Sequence, residues 1–135
     1  MNYYGEQRQA LRANLHTHST LSDGRLAPEK VIEAYASEGY DVLAMTDHHQ
    51  VNDVTQWDNQ GMIIIQGAEL HPILTPERCK WHLVALNLPL DFKCLRPFET
   101  GETAQEVIDA VAAAGGITAA VVGGLIGNAA VLTAG

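Results

Sequence analysis

Positive charge is scarce in this sequence: eight lysines and arginines stand against sixteen aspartates and glutamates, a formal net charge of −8. Proteins that coat nucleic acid carry a basic stripe, because their binding draws on counterions released from phosphates. Stable nucleic-acid binding is therefore not expected, although an acidic domain can still hold phosphate if metal ions supply positive charge locally. Cysteine is equally sparse. Cys79 and Cys94 form neither a C-x-x-C pair nor a dense framework, so a disulfide scaffold is excluded and reduced thiols are expected. Cys79 and His82 make a lone C-x-x-H spacing, weak evidence for zinc. The N-terminus, Met1 to Glu6, lacks the basic start and apolar run of a secretory signal, and the expected location is the cytoplasm. Internal repeats and low-complexity linkers are absent too. Charge disappears altogether from Val111 onward, where Gly, Ala and Val dominate.

What is present suffices for one domain with a core, since 47% of the 135 residues are apolar and only 18% charged. Residues 1–12 form a polar lead-in. A short strand is expected from Leu15 to Thr17, then a loop through Ser22-Asp23-Gly24. Pro28 to Glu38 reads as a helix, with Pro in its first turn, Glu29 complementing the dipole and Gly39 ending it. Its apolar positions Val31, Ile32, Ala34 and Tyr35 form one face. The apolar runs 41–46 and 61–66 have the look of strands buried on both faces. His82 to Leu88 is a further strand, and Thr103 caps a helix through Ala114 that Gly115-Gly116 closes. This order of elements predicts an α/β fold.

The chemistry gathers at strand ends. His16 and His18 sit at i and i+2, so their imidazoles share a strand face, and two converging imidazoles are half of a transition-metal site. A lone H-x-H pair is more often bland than functional, but this pair has company. Asp23 lies in a tight turn that can fold a carboxylate back over the strand. Thr46-Asp47-His48-His49 lies where the second strand stops, and Glu69 is expected just past the third. The stretch from Glu69 to His82 contains Pro72 and Pro76, which disfavour a crossover helix. A hairpin-like return would make the fourth strand antiparallel and bring His82 back beside Glu69. Arg25, His49 and Lys80 are candidates for gripping a substrate phosphate.

Taken together, His16-Thr17-His18-Ser19, Ser22-Asp23-Gly24, Thr46-Asp47-His48-His49, Gly67-Ala68-Glu69 and the His82-Leu83 strand opening resemble the successive motifs of the PHP superfamily (polymerase and histidinol phosphatase). The resemblance covers residues 13–116 and corresponds to the N-terminal half of such a domain. It implies a distorted (βα)7 barrel holding two or three divalent transition metals, commonly manganese, iron or zinc, that hydrolyses phosphomonoesters or phosphodiesters. It further implies that His16, His18, Asp23, His48, Glu69 and His82 are metal ligands, with Glu69 bridging two ions. Asp47 would stand behind them and orient a ligand imidazole, so that Glu69 and Asp47 are the candidate catalytic pair.

Two departures limit the match. The family carries a His after the strand that follows a Gly-Gly-Ile stretch. Here Gly115-Gly116-Ile117 is present, but Val122 stands where that His belongs. The family's closing Asp-x-His has no counterpart. The expectation is thus an incomplete barrel, with residues 117–135 an apolar Gly/Ala-rich tail outside the family match. The expected activity is phosphatase-like hydrolysis of a small phosphorylated metabolite by a metal-activated water. The rival is a catalytically inactive metal-binding or structural PHP remnant, and a polymerase-type exonuclease is disfavoured by the acidic charge. Open barrel edges would favour self-association. A membrane anchor in the tail, with its Gly123-x-x-x-Gly127 spacing, ranks last.

Overall fold

The computed structural model describes residues 10–72, 81–94, 103–121 and 129–132. Among them are strands β1 (Ala13–Asn14), β2 (Val42–Met45), β3 (Ile63–Leu70), β4 (Leu83–Leu86), β5 (Ile117–Val121) and β6 (Ala129–Leu132). Helices α1 (Pro28–Ser37) and α2 (Ala104–Ala113) follow β1 and β4 in the chain. The strands form one sheet in sequence order. β1, β2 and β3 run parallel, whereas β3, β4, β5 and β6 are antiparallel to one another in turn.

Local sequence explains the helices. Pro28 opens α1 with its preset φ, Ala27 gives no side-chain cap, and Gly39 ends the turn at φ +78. Val31 and Ile32 are buried, but Ala34 is exposed and Ala36 takes its place beside Tyr35. Thr103 and Glu106 cap α2 reciprocally, and Gly115 closes it at φ +87.

β3 is shared between two neighbours, and its later half keeps one parallel bridge, from Glu69 to His48. Ile63–Gln66 pair in parallel with Val42–Met45, and Gly67–Leu70 pair antiparallel with Leu86–Leu83. The first half packs beneath α1, where Leu43, Met45, Met62 and Ile64 meet Val31, Ile32 and Tyr35. The second half packs beneath α2, where Ala68, Leu70, Leu83 and Ala85 meet Val107 and Val111.

Three expectations need correction. The first strand ends at Asn14, because Thr46 rather than a ladder partner receives the Thr17 N–H, through its Oγ1 at 2.9 Å. Glu69 lies inside β3, because pairing with β4 prolongs that strand by four residues beyond its parallel segment. Residues 117–121 are no separate tail. They form β5, with Thr118, Ala119 and Ala120 buried and Leu83 paired to Ala120. No helix among the described residues is long and apolar enough to cross a membrane.

Candidate metal centre

The strand that stops early delivers the first two imidazoles. Past Asn14, the Thr46 hydroxyl accepts the Thr17 N–H, lies 3.2 Å from the Thr17 carbonyl, and sits 2.8 Å from His16 Nδ1. With the hydroxyl proton on the Thr17 carbonyl, His16 Nδ1–H donates to Thr46 and leaves Nε2 bare toward Glu69. The rings of His16 and His18 are 4.8 Å apart, so they converge as expected although the residues lie beyond the strand.

Asp47 builds the next piece, in a role different from the one expected. It is buried and accepts hydrogen bonds from Ser19 N (2.7 Å), Ser19 Oγ (2.9 Å), Ser22 Oγ (2.6 Å) and Asn52 Nδ2 (3.5 Å). None of these donors is an imidazole. A buried carboxylate needs several donors, and the serines of the turn are nearer than any ring, so Asp47 clamps the Ser19–Ser22 loop instead of orienting a histidine. The loop closes tightly: a Cβ on Gly24 would lie 2.6 Å from the His18 carbonyl carbon and oxygen. That approach carries Asp23 over the rings, with Oδ1 2.6 Å from His18 Nδ1 and Oδ2 3.1 Å from His48 Nε2.

Glu69 is the hub. Its side chain is only 3% exposed, and its two oxygens face different imidazoles. Oε2 lies 2.7 Å from His18 Nε2, 3.4 Å from His48 Nδ1 and 3.6 Å from His16 Nε2. Oε1 lies 2.7 Å from His82 Nδ1 and 3.7 Å from His71 Nε2. The register accounts for this: Glu69 pairs with Val84, and His82, two residues before Val84, shares its sheet face. The antiparallel return thus brings His82 to Glu69.

His71 was not among the expected site residues. Its Nε2 is 2.8 Å from His48 Nδ1, and its ring is 4.4 Å from that of His82. The signal was available, because His71 stands at i+2 from Glu69 just as His18 does from His16. His49, with φ +50, has its ring 4.9 Å from that of His71. All six histidines of the chain therefore join one cluster. Arg25 is exposed and, among the described residues, makes no hydrogen bond or ion pair with the cluster. Lys80, Cys79 and Val122 lie outside the described residues.

Electrostatics follow the geometry. Burial works to raise the Glu69 carboxyl, but hydrogen bonds from His18 and His82, with the charges of His16 and His48, hold it down to about 2. Burial likewise works against ionised Asp23, and His18 and His48 outweigh it and lower its pKa. The bond to Glu69 raises His18. Burial lowers His16, and pushes His71 down to about 4. Ionised Glu69 and Asp23 with neutral His16 and His71 are in the protonation states that metal ligation needs, whereas His18, held protonated by Glu69, would release its proton to an arriving ion. Three donor sets have ligand atoms within 4.8 Å of one another: His16, His18 and Glu69; His18, Asp23 and His48; His48, Glu69 and His71. Imidazole with carboxylate suits zinc, iron or manganese, so these residues fit such ions.

A family profile described as "PHP domain" matches residues 14–118. The chain belongs to the PHP domain family. Among curated relatives, the PHP chain is 32% identical to a 5'-3' exoribonuclease of Haemophilus influenzae over 78 residues, 55% of this chain and 28% of that protein. It is 28% identical to the 5'-3' exoribonuclease Rnm of Salmonella typhimurium over 96 residues, 67% of this chain and 32% of that one. The chain therefore spans about a third of the length of these relatives. A Bacteroides vulgatus two-domain protein containing a predicted PHP-like metal-dependent phosphoesterase superposes with a TM-score of 0.57 at 20% identity, over 84% of this chain and 39% of the other. The expected α/β fold, an incomplete PHP-type barrel, is thereby shown.

Proposed function

We propose that this PHP domain is a metal-dependent phosphoesterase centred on Glu69. The observation that carries the reading is one buried carboxylate whose two oxygens each face separate imidazoles, His18 on one side and His82 on the other, both at 2.7 Å. A carboxylate so placed can serve two ions at once. His16 and His18 would hold one with Glu69 Oε2, His82 the other with Oε1, and Asp23 with His48 a third. Bound ions would activate a water at neutral pH and neutralise charge on phosphoryl oxygens.

The chain's own groups do the rest. Thr46 fixes the His16 tautomer, and Asp47 holds the loop that places Asp23, acting as a positioning residue. Arg25, His49 and Lys80 are the proposed phosphate contacts. A small phosphorylated metabolite is the substrate class that the net charge of −8 favours. A second reading, an RNA phosphodiester, is favoured by the relatives named exoribonucleases.

The test is turnover of a generic phosphate monoester and of a short 5'-phosphorylated oligoribonucleotide, with and without added manganese. Hydrolysis of either, lost in Glu69→Gln, supports the phosphoesterase, and the preferred substrate separates the two readings. Metal uptake without turnover of either would leave the catalytically inactive remnant. A Glu69→Gln rate equal to wild type would place the activity elsewhere.

A further inference from the structure

We propose that His71, through Nε2, is a metal ligand on the Oε1 side of Glu69 together with His82. The inference rests on the metal-centre reading above and adds a donor to it.

Sequence and register both place this ring. The antiparallel pairing sets Glu69 opposite Val84 and Leu70 opposite Leu83. The same register carried one step further sets His71 opposite His82, and cross-strand partners share a face. Pro72 follows, and a residue before proline is held extended, so His71 keeps the strand direction and the face of Glu69. The outcome is the 4.4 Å approach of the two rings at 88°.

The tautomer is set from behind. His71 Nδ1 lies 3.3 Å from the Trp81 carbonyl, which can only accept, so Nδ1 carries the proton and Nε2 is a bare lone pair. That lone pair points into the cluster, 3.7 Å from Glu69 Oε1 and 2.8 Å from His48 Nδ1. With Nδ1 protonated, His71 Nε2 accepts the proton that His48 Nδ1 carries, so it stands as a donor lone pair in the metal-free chain. A ligand imidazole held by a backbone carbonyl through its other nitrogen is the arrangement that fixes metal-binding histidines.

The neighbouring strand supplies no such donor. Val84 pairs with Ala119, and Val121 N donates to the His82 carbonyl. β5 therefore lines His82 with Ala119 and Val121, neither of which can ligate. His71 completes a donor set that β5 does not.

The full chain, stripped of metal, would be titrated with cobalt(II) and zinc(II) by calorimetry and visible absorption, comparing wild type, His71→Ala and His71→Gln. His71 ligation predicts that one binding step weakens by roughly tenfold or more and that the cobalt bands change, while the step lost in His16→Ala/His18→Ala persists. Isotherms and bands identical to wild type in both variants overturn it. Nitrogen-15 NMR of the wild-type imidazoles needs no substitution. His71 Nε2 should shift on zinc addition with Nδ1 still protonated, and an unmoved Nε2 overturns the inference even if the variants misfold. A wild-type chain that takes up no ion would instead remove the metal-centre reading itself.

Discussion

The two halves of the sheet are built by opposite means. Beneath α1, the parallel half is filled by bulk: Ile32, Leu43 and Met45 are essentially inaccessible, and Tyr35 and Trp57 pack against them. Beneath α2, the antiparallel half relies on closeness, with Ala68, Ala85 and Ala120 buried. A Cβ on Gly67 would collide with the Ala85 carbonyl oxygen, and one on Gly116 would lie 2.8 Å from the Leu86 carbonyl oxygen. The close half is the one that brings His82 and His71 to Glu69. Small residues there cost hydrophobic burial but let the return strand press the ligand-bearing edge together.

Enlarging the close half should break this contrast most sharply. Gly67→Ala drives a methyl into backbone that no rotamer can relieve, and about 4 kcal/mol of destabilisation is expected, in the exceptional range for one substitution. Denaturant melts would measure it, and a loss below about 1 kcal/mol would show that the strands can part freely. The bulky half should fail by removal instead. Leu43→Ala should cost about 3 kcal/mol through the cavity it leaves, whereas the volume-conserving Leu43→Met should cost under about 1.5 kcal/mol.

These residues also show what could be read without coordinates. α1 was legible because Pro28 and Gly39 mark its ends with backbone chemistry. The convergence of His16 and His18 follows from strand periodicity, that of Asp23 from its tight turn, that of His48 and Glu69 from strand ends, and that of His82 from the prolines that disfavour a crossover helix. The ligand set as a whole is what the family resemblance implies. What escaped was tertiary. The sequence places the end of β3 before Glu69, because its later half owes its extension to pairing with β4 and carries the weak formers Gly67 and Ala68. In a loop Glu69 would share no face with His71, and only the prolonged strand puts the two on one side. The partners of Asp47 escape the sequence for a similar reason: the serines that reach it come from a loop 25 and 28 residues away.

The third contrast is in pH. His71 belongs to the close half, and its burial there pushes it down to about 4 from the ordinary 6.5. In metal-free protein the folded ring stays neutral to about pH 4, while the unfolded ring takes a proton below 6.5. The unfolded state thus binds more protons in that window, and stability falls as pH drops from 6.5 to 4. The contribution should be about 2 kcal/mol, after allowance for the shared cluster. His71→Gln should flatten the slope between those values, and an unchanged slope would mean that the ring does not sense burial. The smallest effect lies at the edge of the close half. Thr103→Ala removes the α2 cap and should cost about 1 kcal/mol, read as a small loss in melting temperature without loss of metal.

The most direct measurement is elemental analysis of the purified wild-type chain beside Glu69→Gln after extensive dialysis. A metal centre built on one bridging carboxylate predicts bound manganese, iron or zinc at one equivalent or more in the wild type, and a large loss in the variant, whose neutral amide cannot hold two cations. A wild-type chain free of metal after metal-replete preparation, or a folded Glu69→Gln that keeps the full complement, would contradict it.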